Sequence, residues 1–321
     1  MTHRLTLAVA SCLPAHGLWH WFCLLLVCAS LGISSATAAM PAVELQVGVG
    51  SVVLEGKYQG LVDPGGQLEL ADVQSAAYVS RFAVAPQRWV LPQTDSAVWL
   101  RMVLRNSATE PRDWWLDTGN FNAGNIDLYA PDLAGVYQRQ SASSMQSILA
   151  RPLPMKTLAF PLRLPASTES VVYIRIQSVW KRLMLKPRIW EPPVLQANLN
   201  LERHQWLAFL GAAGALILFN LLLSIVLRDR HYALYALSCL AIVWCVSSWL
   251  GGFGAAYELL WPNWPQFERF SWDTAGVAAI VVSAIFLCTV LDLRHRLPRL
   301  FKTLREALAV YLLCWLVLLT V

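Results

Sequence analysis

The chain has 321 residues, 56% of them hydrophobic and 14% charged, with a formal net charge of +5 and a mean hydropathy of +0.47. That is more apolar than an ordinary soluble domain, where roughly 45–50% is usual. The positive balance is no argument for nucleic acid, because the basic residues after Gln205 gather mainly in two short loops.

The charge is unevenly spread. Between Ala39 and Gln205 there are sixteen Lys/Arg and fourteen Asp/Glu, a normal aqueous surface, and beyond Gln205 long uncharged runs take over. The chain therefore reads as built for two solvents, water first and lipid second. Of the seven cysteines, Cys12, Cys23 and Cys28 fall in the N-terminal leader and Cys239, Cys245, Cys288 and Cys314 in apolar runs. The water-facing part has none, which excludes a disulfide framework and a Cys-based zinc site there. No cofactor or metal is expected.

Met1 to Ala38 reads as a signal peptide: Arg4 in the n-region, the apolar "LWHWFCLLLVCASLGI" (Leu18–Ile33), then "ATA" (Ala36–Ala38) before a cleavage point at Ala39. The segment that follows is then exported.

From Ala39 to about Pro193 the apolar pattern has period two, and the exported domain is set at 39–200. "AVWLRMVLRN" (Ala97–Asn106) sets Val98, Leu100, Met102 and Leu104 against Trp99, Arg101 and Arg105, and "VVYIRIQ" (Val171–Gln177) sets Val172, Ile174 and Ile176 on one side. "TLAFPLRL" (Thr157–Leu164) and "LMLKPRIW" (Leu183–Trp190) alternate likewise. Such alternation predicts antiparallel strands with one dry and one wet face. Turn-forming stretches such as "DPGG" (Asp63–Gly66) and "APDLAG" (Ala130–Gly135) separate them, so seven to nine short strands in an all-β jelly roll or β-sandwich are expected.

This domain has a single histidine, His204, at its membrane edge, and no cysteine. Ser/His and Cys/His catalysis are thereby removed, as is a His-rich metal site. Paired carboxylates (Asp113 with Asp117, Asp127 with Asp132) leave a membrane-anchored glycan enzyme as a minor alternative. Binding is the stronger reading. "RDWWLDTGNFNAGNIDLYAPD" (Arg112–Asp132) brings two Trp, three Asn and several Asp together, the residue types that stack on sugar rings and bond their hydroxyls. Trp115, Asp117, Asn120, Asn125, Asp127 and Tyr129 are the candidate ligand-binding residues, the last three placed by alternation opposite Ile126 and Leu128. One of Trp114 and Trp115 is expected in the core.

The lipid half holds spans at about 206–227, 232–254, 273–291 and an incomplete one at 307–321. The connection Asp292–Glu306 carries five Lys/Arg against two acids, and Arg228–His231 is also basic, whereas Ala255–Asp273 has one Arg and three acids. Positive loops stay inside, so the first span runs from outside to inside. Trp206, Trp249, Trp261, Trp264 and Trp272 then fall near the outer interface. Asn220, inside the first span, is expected to bond across helices, and Gly211 with Ala215 forms a small-residue face for close packing.

An exported β-domain running into such a membrane block resembles the seven-transmembrane receptors with diverse intracellular signalling modules, 7TMR-DISM. The resemblance rests on "VWLRMVLRN" (Val98–Asn106), "NIDLYAPD" (Asn125–Asp132), "VVYIRIQS" (Val171–Ser178) and above all "FLGAAGALILFNLLLSIVLRDRHYALYAL" (Phe209–Leu237). It implies a jelly-roll sensor of the second extracellular type for carbohydrate-like ligands, seven spans in a bacterial inner membrane, and a cytoplasmic output module. This sequence reaches three spans and part of a fourth with no output, so a C-terminally truncated receptor is expected, itself not an enzyme, signalling to a module in cis or in trans and able to pair as a homodimer. The rival reading is an envelope or transport accessory protein.

Overall fold

The structure, a computed structural model, describes residues 41–86, 89–91, 94–119, 123–179, 183–250 and 255–318. The expected signal peptide, Asn120 and the end of the fourth span lie outside the described residues. Thirteen strands are seen among those residues: β1 (Val43–Leu45), β2 (Ser51–Val53), β3 (Gln59–Asp63), β4 (Ala83–Val84), β5 (Val90–Leu91), β6 (Thr94–Asn106), β7 (Arg112–Asp117), β8 (Ala123–Pro131), β9 (Tyr137–Ser143), β10 (Ala159–Leu164), β11 (Glu169–Val179), β12 (Leu183–Met184) and β13 (Arg188–Trp190). Two short helices, α1 (Leu70–Gln74) and α2 (Ala76–Val79), interrupt them. The helical half follows: α3 (Pro192–Leu227), α4 (Arg230–Cys245) continued by a π-helical turn Val246–Leu250, α5 (Ala255–Leu260), α6 (Pro265–Val290), α7 (Leu293–Arg296) and α8 (Pro298–Leu318).

Eleven of the strands form a two-sheet sandwich, and β5 and β12 pair separately as a two-stranded ribbon. One sheet has the order β4-β3-β6-β11-β8-β9, with β1 parallel beside β6, and the other has the order β10-β7-β13-β2. The long strands β6 and β11 hold the larger sheet in register, Val172 opposite Met102, Ile174 opposite Leu100 and Ile176 opposite Val98. A one-residue slip would turn every one of these side chains to the other face. The alternation seen in the sequence is the core itself: Val98, Leu100, Met102, Leu104, Ile126, Leu128, Val172, Ile174 and Ile176 face Trp114, Leu116, Phe160, Leu162, Leu164 and Ile189 of the second sheet. Each such side chain contributes about 1.5–3 kcal/mol by leaving water.

The outer face of the larger sheet is not wet. Leu61, Val73, Phe82, Trp99 and Tyr173 form a second apolar cluster there, closed by Leu68, Leu70, Tyr78, Tyr129 and Tyr137. Alternation reports only that two faces differ; it is blind to the segment between β3 and β4, whose helices α1 and α2 fold over this face. Trp99 is 0% exposed, and its ring stacks on Tyr129 at 5.6 Å.

Glu191 joins the sandwich to the helices. Its carboxylate accepts from the backbone N–H of Gly48 (2.7 Å) and Gly50 (2.8 Å), both at positive φ, and its own N–H donates to the Gly50 carbonyl at 2.9 Å. Pro192 follows at the first helical turn, where its missing N–H costs nothing. α3 then continues for 36 residues, about 54 Å at 1.5 Å per residue. A 30 Å hydrocarbon core takes roughly 20 of them, so the helix starts well above the lipid, inside the sandwich's own packing.

Among the described residues three helices are long and apolar enough to cross a membrane: Pro192–Leu227, Arg230–Ser248 and Asp273–Val290. Arg228, at φ 51°, ends the first, and Asp229 caps the next by accepting from the His231 N–H at 2.9 Å. Hydroxyls knit the second to the third: Ser238 to Ser283 at 2.9 Å, and Trp244 Nε1 and Ser248 both to Ser271 at 2.6 Å. Asn220 is buried but bonds within its own helix, Nδ2 donating to the Leu216 carbonyl at 2.8 Å. A helix carbonyl one turn back is the nearest acceptor for such an amide, which is why it needs no partner across the bundle. Ala215 is exposed, and a Cβ added at Gly211 would meet nothing within 4 Å, so this small-residue face is open among the described residues.

The covered outer face has a measurable consequence. Trp99→Ala should destabilise the folded chain by about 3–5 kcal/mol, as for a buried aromatic; on a wet face the change would stay within about 0.5 kcal/mol. Urea titration of the detergent-solubilised protein, followed by β-sheet circular dichroism, distinguishes the two.

Candidate functional site

The residues picked from the Arg112–Asp132 stretch do not come together. They divide between the two sheets. On β8, Ile126 and Leu128 face the main core, while Asp127 and Tyr129 point to the second face and Asn125 is exposed. Asp127 is only 3% exposed and is held by Arg139, whose Nη2 lies 3.1 Å from both carboxylate oxygens, with Arg175 at 3.7 Å. Arg175 in turn donates to the Gly66 carbonyl (2.7 Å) and to Gln177 (3.0 Å), pinning the β3–α1 turn to the sheet. The charge of Asp127 is thus spent inside the domain.

Asp117 ends β7 on the other sheet. It accepts from the Gly119 N–H at 2.9 Å and from the Thr157 side chain. Burial pushes its carboxyl above the ordinary carboxylate range, and the nearby Arg188 and Lys156 offset this only in part. Of the two neighbouring tryptophans, Trp114 goes into the core and Trp115 stays half-buried on the opposite face.

Trp115 does line a groove. About 550 Å³ of open space lies where the edge strands β9 and β10 meet, walled by Asp113, Trp115, Gln138, Gln140 and Arg163 and reaching Pro192 at the start of α3. The β7–β10 register explains the wall: Asp113 is opposite Arg163, and Trp115 is opposite Pro161, on the face turned from the core. Asp113 and Arg163 lie 3.8 Å apart and stay about two-thirds exposed. Gln140 spans the two sheet edges by donating to the Pro161 carbonyl at 2.9 Å, and Gln138 donates to Asp132 at 3.1 Å. Of these, Trp115 stands out in the sequence as a binding candidate, and Asp113 only as one of a pair of carboxylates with Asp117. Asp113 and Arg163 become neighbours through strand pairing fifty residues apart, which no local pattern reveals.

Behind Trp115 lies the joint between sandwich and helices. Leu153, Met155, Ala159 and Leu195 form a third buried cluster, with Trp115, Trp190 and Leu199 against it. The segment after β9 then docks on the connection between α4 and α6: Ile148 N–H donates to the Pro262 carbonyl (3.1 Å), Ser147 bonds Asn263 (2.7 Å), and the Tyr257 hydroxyl donates to the Gln146 carbonyl (3.1 Å). Arg151 is 5% exposed and, among the described residues, has no carboxylate beside it; it donates to the carbonyls of Met155 (3.0 Å), Lys156 (2.9 Å) and Gln146 (3.3 Å) under the Tyr257 ring at 5.6 Å. Burial draws its guanidinium below its ordinary range. Lys156–Glu202 and Arg203–Glu258 ion pairs flank the dock. The apolar "SILARPLPM" stretch, with one arginine in it, was the available sign of this joint.

No group of His, Cys, Asp and Glu able to hold a metal ion occurs among the described residues. A β-sandwich with an open groove is joined to an apolar helical block by one continuous helix. Residues 55–191 match the family model for 7TMR-DISM extracellular 2, and residues 203–321 match that for 7TM diverse intracellular signalling. The chain belongs to the 7TMR-DISM family in both its parts, and is a membrane receptor with an extracellular sensor domain. A search of curated proteins returned no match. Among solved structures, the crystal structure of the enzymatically active domain of bacteriophage CBA120 tailspike protein 4 aligns at 10% identity and a TM-score of 0.18, over 44% of this chain and 19% of that one. At that score it carries no weight for fold or activity.

The Asp117 environment sets a pH dependence. A carboxyl raised by burial opposes folding once it ionises, so its contribution is favourable at low pH and is lost as the pH climbs from the ordinary carboxylate value through the raised one. Asp117→Asn should therefore raise the melting temperature at pH 7, the gain vanishing below about pH 4. Thermal melts of both proteins across that range test it; a loss at pH 7 would mean that the Arg188 and Lys156 charges dominate.

Proposed function

We propose that the protein is a signal-transduction receptor of a bacterial inner membrane, whose periplasmic sandwich binds a carbohydrate and whose helices relay the event to a cytoplasmic signalling module, in cis or in trans. The observation that carries this reading is the continuity of α3. It starts on the Glu191 anchor, passes through the joint cluster at Leu195 and Leu199, and runs unbroken to Leu227. A helix is stiff over this length, so a tilt or shift at its root is delivered to its far end. The ligand need only prefer one of two root positions, since differential affinity is all that biases a two-state element.

The reading also accounts for charge placement. The sandwich and the Tyr257–Asn263 connection share one side of the helical block, and the arginine-bearing turns at Arg228–Arg230 and Arg294–Arg305 lie at the other ends of the same helices. Positive turns remain in the cytoplasm. On this reading the chain binds and relays and leaves catalysis to its output partner, and pairing into a homodimer is one way to present that partner.

Topology is tested with single cysteines in a background whose seven native cysteines are replaced. Val136 and Thr303 are both exposed. A membrane-impermeant maleimide added to intact spheroplasts should label Val136→Cys and spare Thr303→Cys until the cells are lysed. The reverse pattern would overturn the receptor orientation.

A further inference from the structure

We propose that the groove between β9 and β10 is the receptor's input site, that it takes a short uncharged oligosaccharide, and that Trp115 transmits its occupancy to the root of α3. This rests on the carbohydrate reading above and gives it a place and a mechanism.

The groove has the right size and chemistry. Its volume of about 550 Å³ lies within the roughly 300–1,000 Å³ of small-molecule sites. Asp113 and Arg163 neutralise each other at 3.8 Å yet remain about two-thirds exposed, so both can still bond hydroxyls, and Asp132, also on the rim, commits its carboxylate to the Ala134 and Val136 N–H groups and to Gln138 rather than to a ligand cation. Gln138 and Gln140 each commit an amide N–H within the protein, which leaves their side-chain oxygens to accept hydroxyl protons. Trp115 supplies the apolar face on which a pyranose ring stacks. A phosphorylated ligand would need more cations than one paired arginine, and an apolar ligand would strip water from the Asp113, Arg163 and glutamine rim without replacing its bonds.

Transmission follows from the two sides of one indole. Trp115 borders the groove and also packs on the joint cluster of Leu153, Met155 and Leu195. Pro192, on the groove's rim, is the first residue of α3. A ring stacked on Trp115 fixes the indole, and Leu195, in the cluster it packs on, must follow. Leu153 and Met155 belong to the segment that continues through Arg151 to the dock on Tyr257 and Pro262. Occupancy therefore reaches both the first span and the outer connection between the second and third. The candidate residues on β8 lack this link: Asp127 is tied to Arg139 and Arg175 on the far face of the other sheet.

The test uses the full chain in lipid nanodiscs with maltotriose, cellotriose and chitotriose, read by calorimetry and by hydrogen exchange. We expect at least one trisaccharide to bind, Asp113→Asn and Gln140→Ala to weaken it at least tenfold, and bound sugar to slow amide exchange in 192–199 and 146–156. Trp115→Phe should retain binding, and Trp115→Ala should lose it. Sugar binding unchanged in Asp113→Asn and Gln140→Ala overturns the groove as the site while the carbohydrate reading stands. Binding in the groove with unaltered exchange at 192–199 overturns the role of Trp115. If a folded wild type binds none of the three, the carbohydrate reading and the ligand class fail together. The relay is then judged without a ligand: Gln138→Cys, in the cysteine-free background, is modified with a glucosyl methanethiosulfonate that delivers a sugar into the groove. Unchanged exchange at the root of α3 after full modification overturns the relay, and slowed exchange supports it.

Discussion

The arrangement depends on one constraint: a backbone that enters lipid must satisfy its own polar groups, and a helix does so without help from neighbours. α3 meets that demand from the Glu191 anchor onward, well before the lipid begins. Because the helix is already regular inside the sandwich's packing, nothing between the groove and the far end of the first span can bend without breaking hydrogen bonds. Where a soluble linker would have separated the sensor from the membrane, Leu195 and Leu199 make the helix a structural element of both.

The sandwich is organised to leave one edge free for that purpose. Its core is closed by β6 and β11, its second face by α1, α2 and a cluster around Trp99, and its charge network by Asp127 with two arginines. These features fix the larger sheet. The other sheet's outer face lies outside these features, and there Trp115, Trp190 and the β9-to-β10 segment meet the helices.

The sequence declared the class of fold because period-two alternation in Val98–Leu104 and Val172–Ile176 is a direct imprint of a pleated sheet with a core on one side. Apolar runs and the arginine count of the turns declared the helices in the same way. The second face was hidden, since Trp99 and Tyr129 have the same spacing whether water or α1 covers them. Asn220 was legible as a polar intrusion but its acceptor was not, because the choice between its own helix and a neighbour is made by geometry. The groove was half legible. Trp115 stood out by type, whereas Asp113 and Arg163 acquire meaning only when β7 and β10 pair.

Arg151 stiffens the docking segment by donating to three of that segment's own carbonyls, and it meets the outer connection at the Tyr257 ring. Dissolved ions screen a pair of exposed opposite charges but have little purchase on a buried guanidinium wrapped by peptide oxygens. The shape of the docking segment should consequently be indifferent to the salinity of the surroundings, while the partly exposed Lys156–Glu202 and Arg203–Glu258 pairs beside it are the contacts that salt weakens.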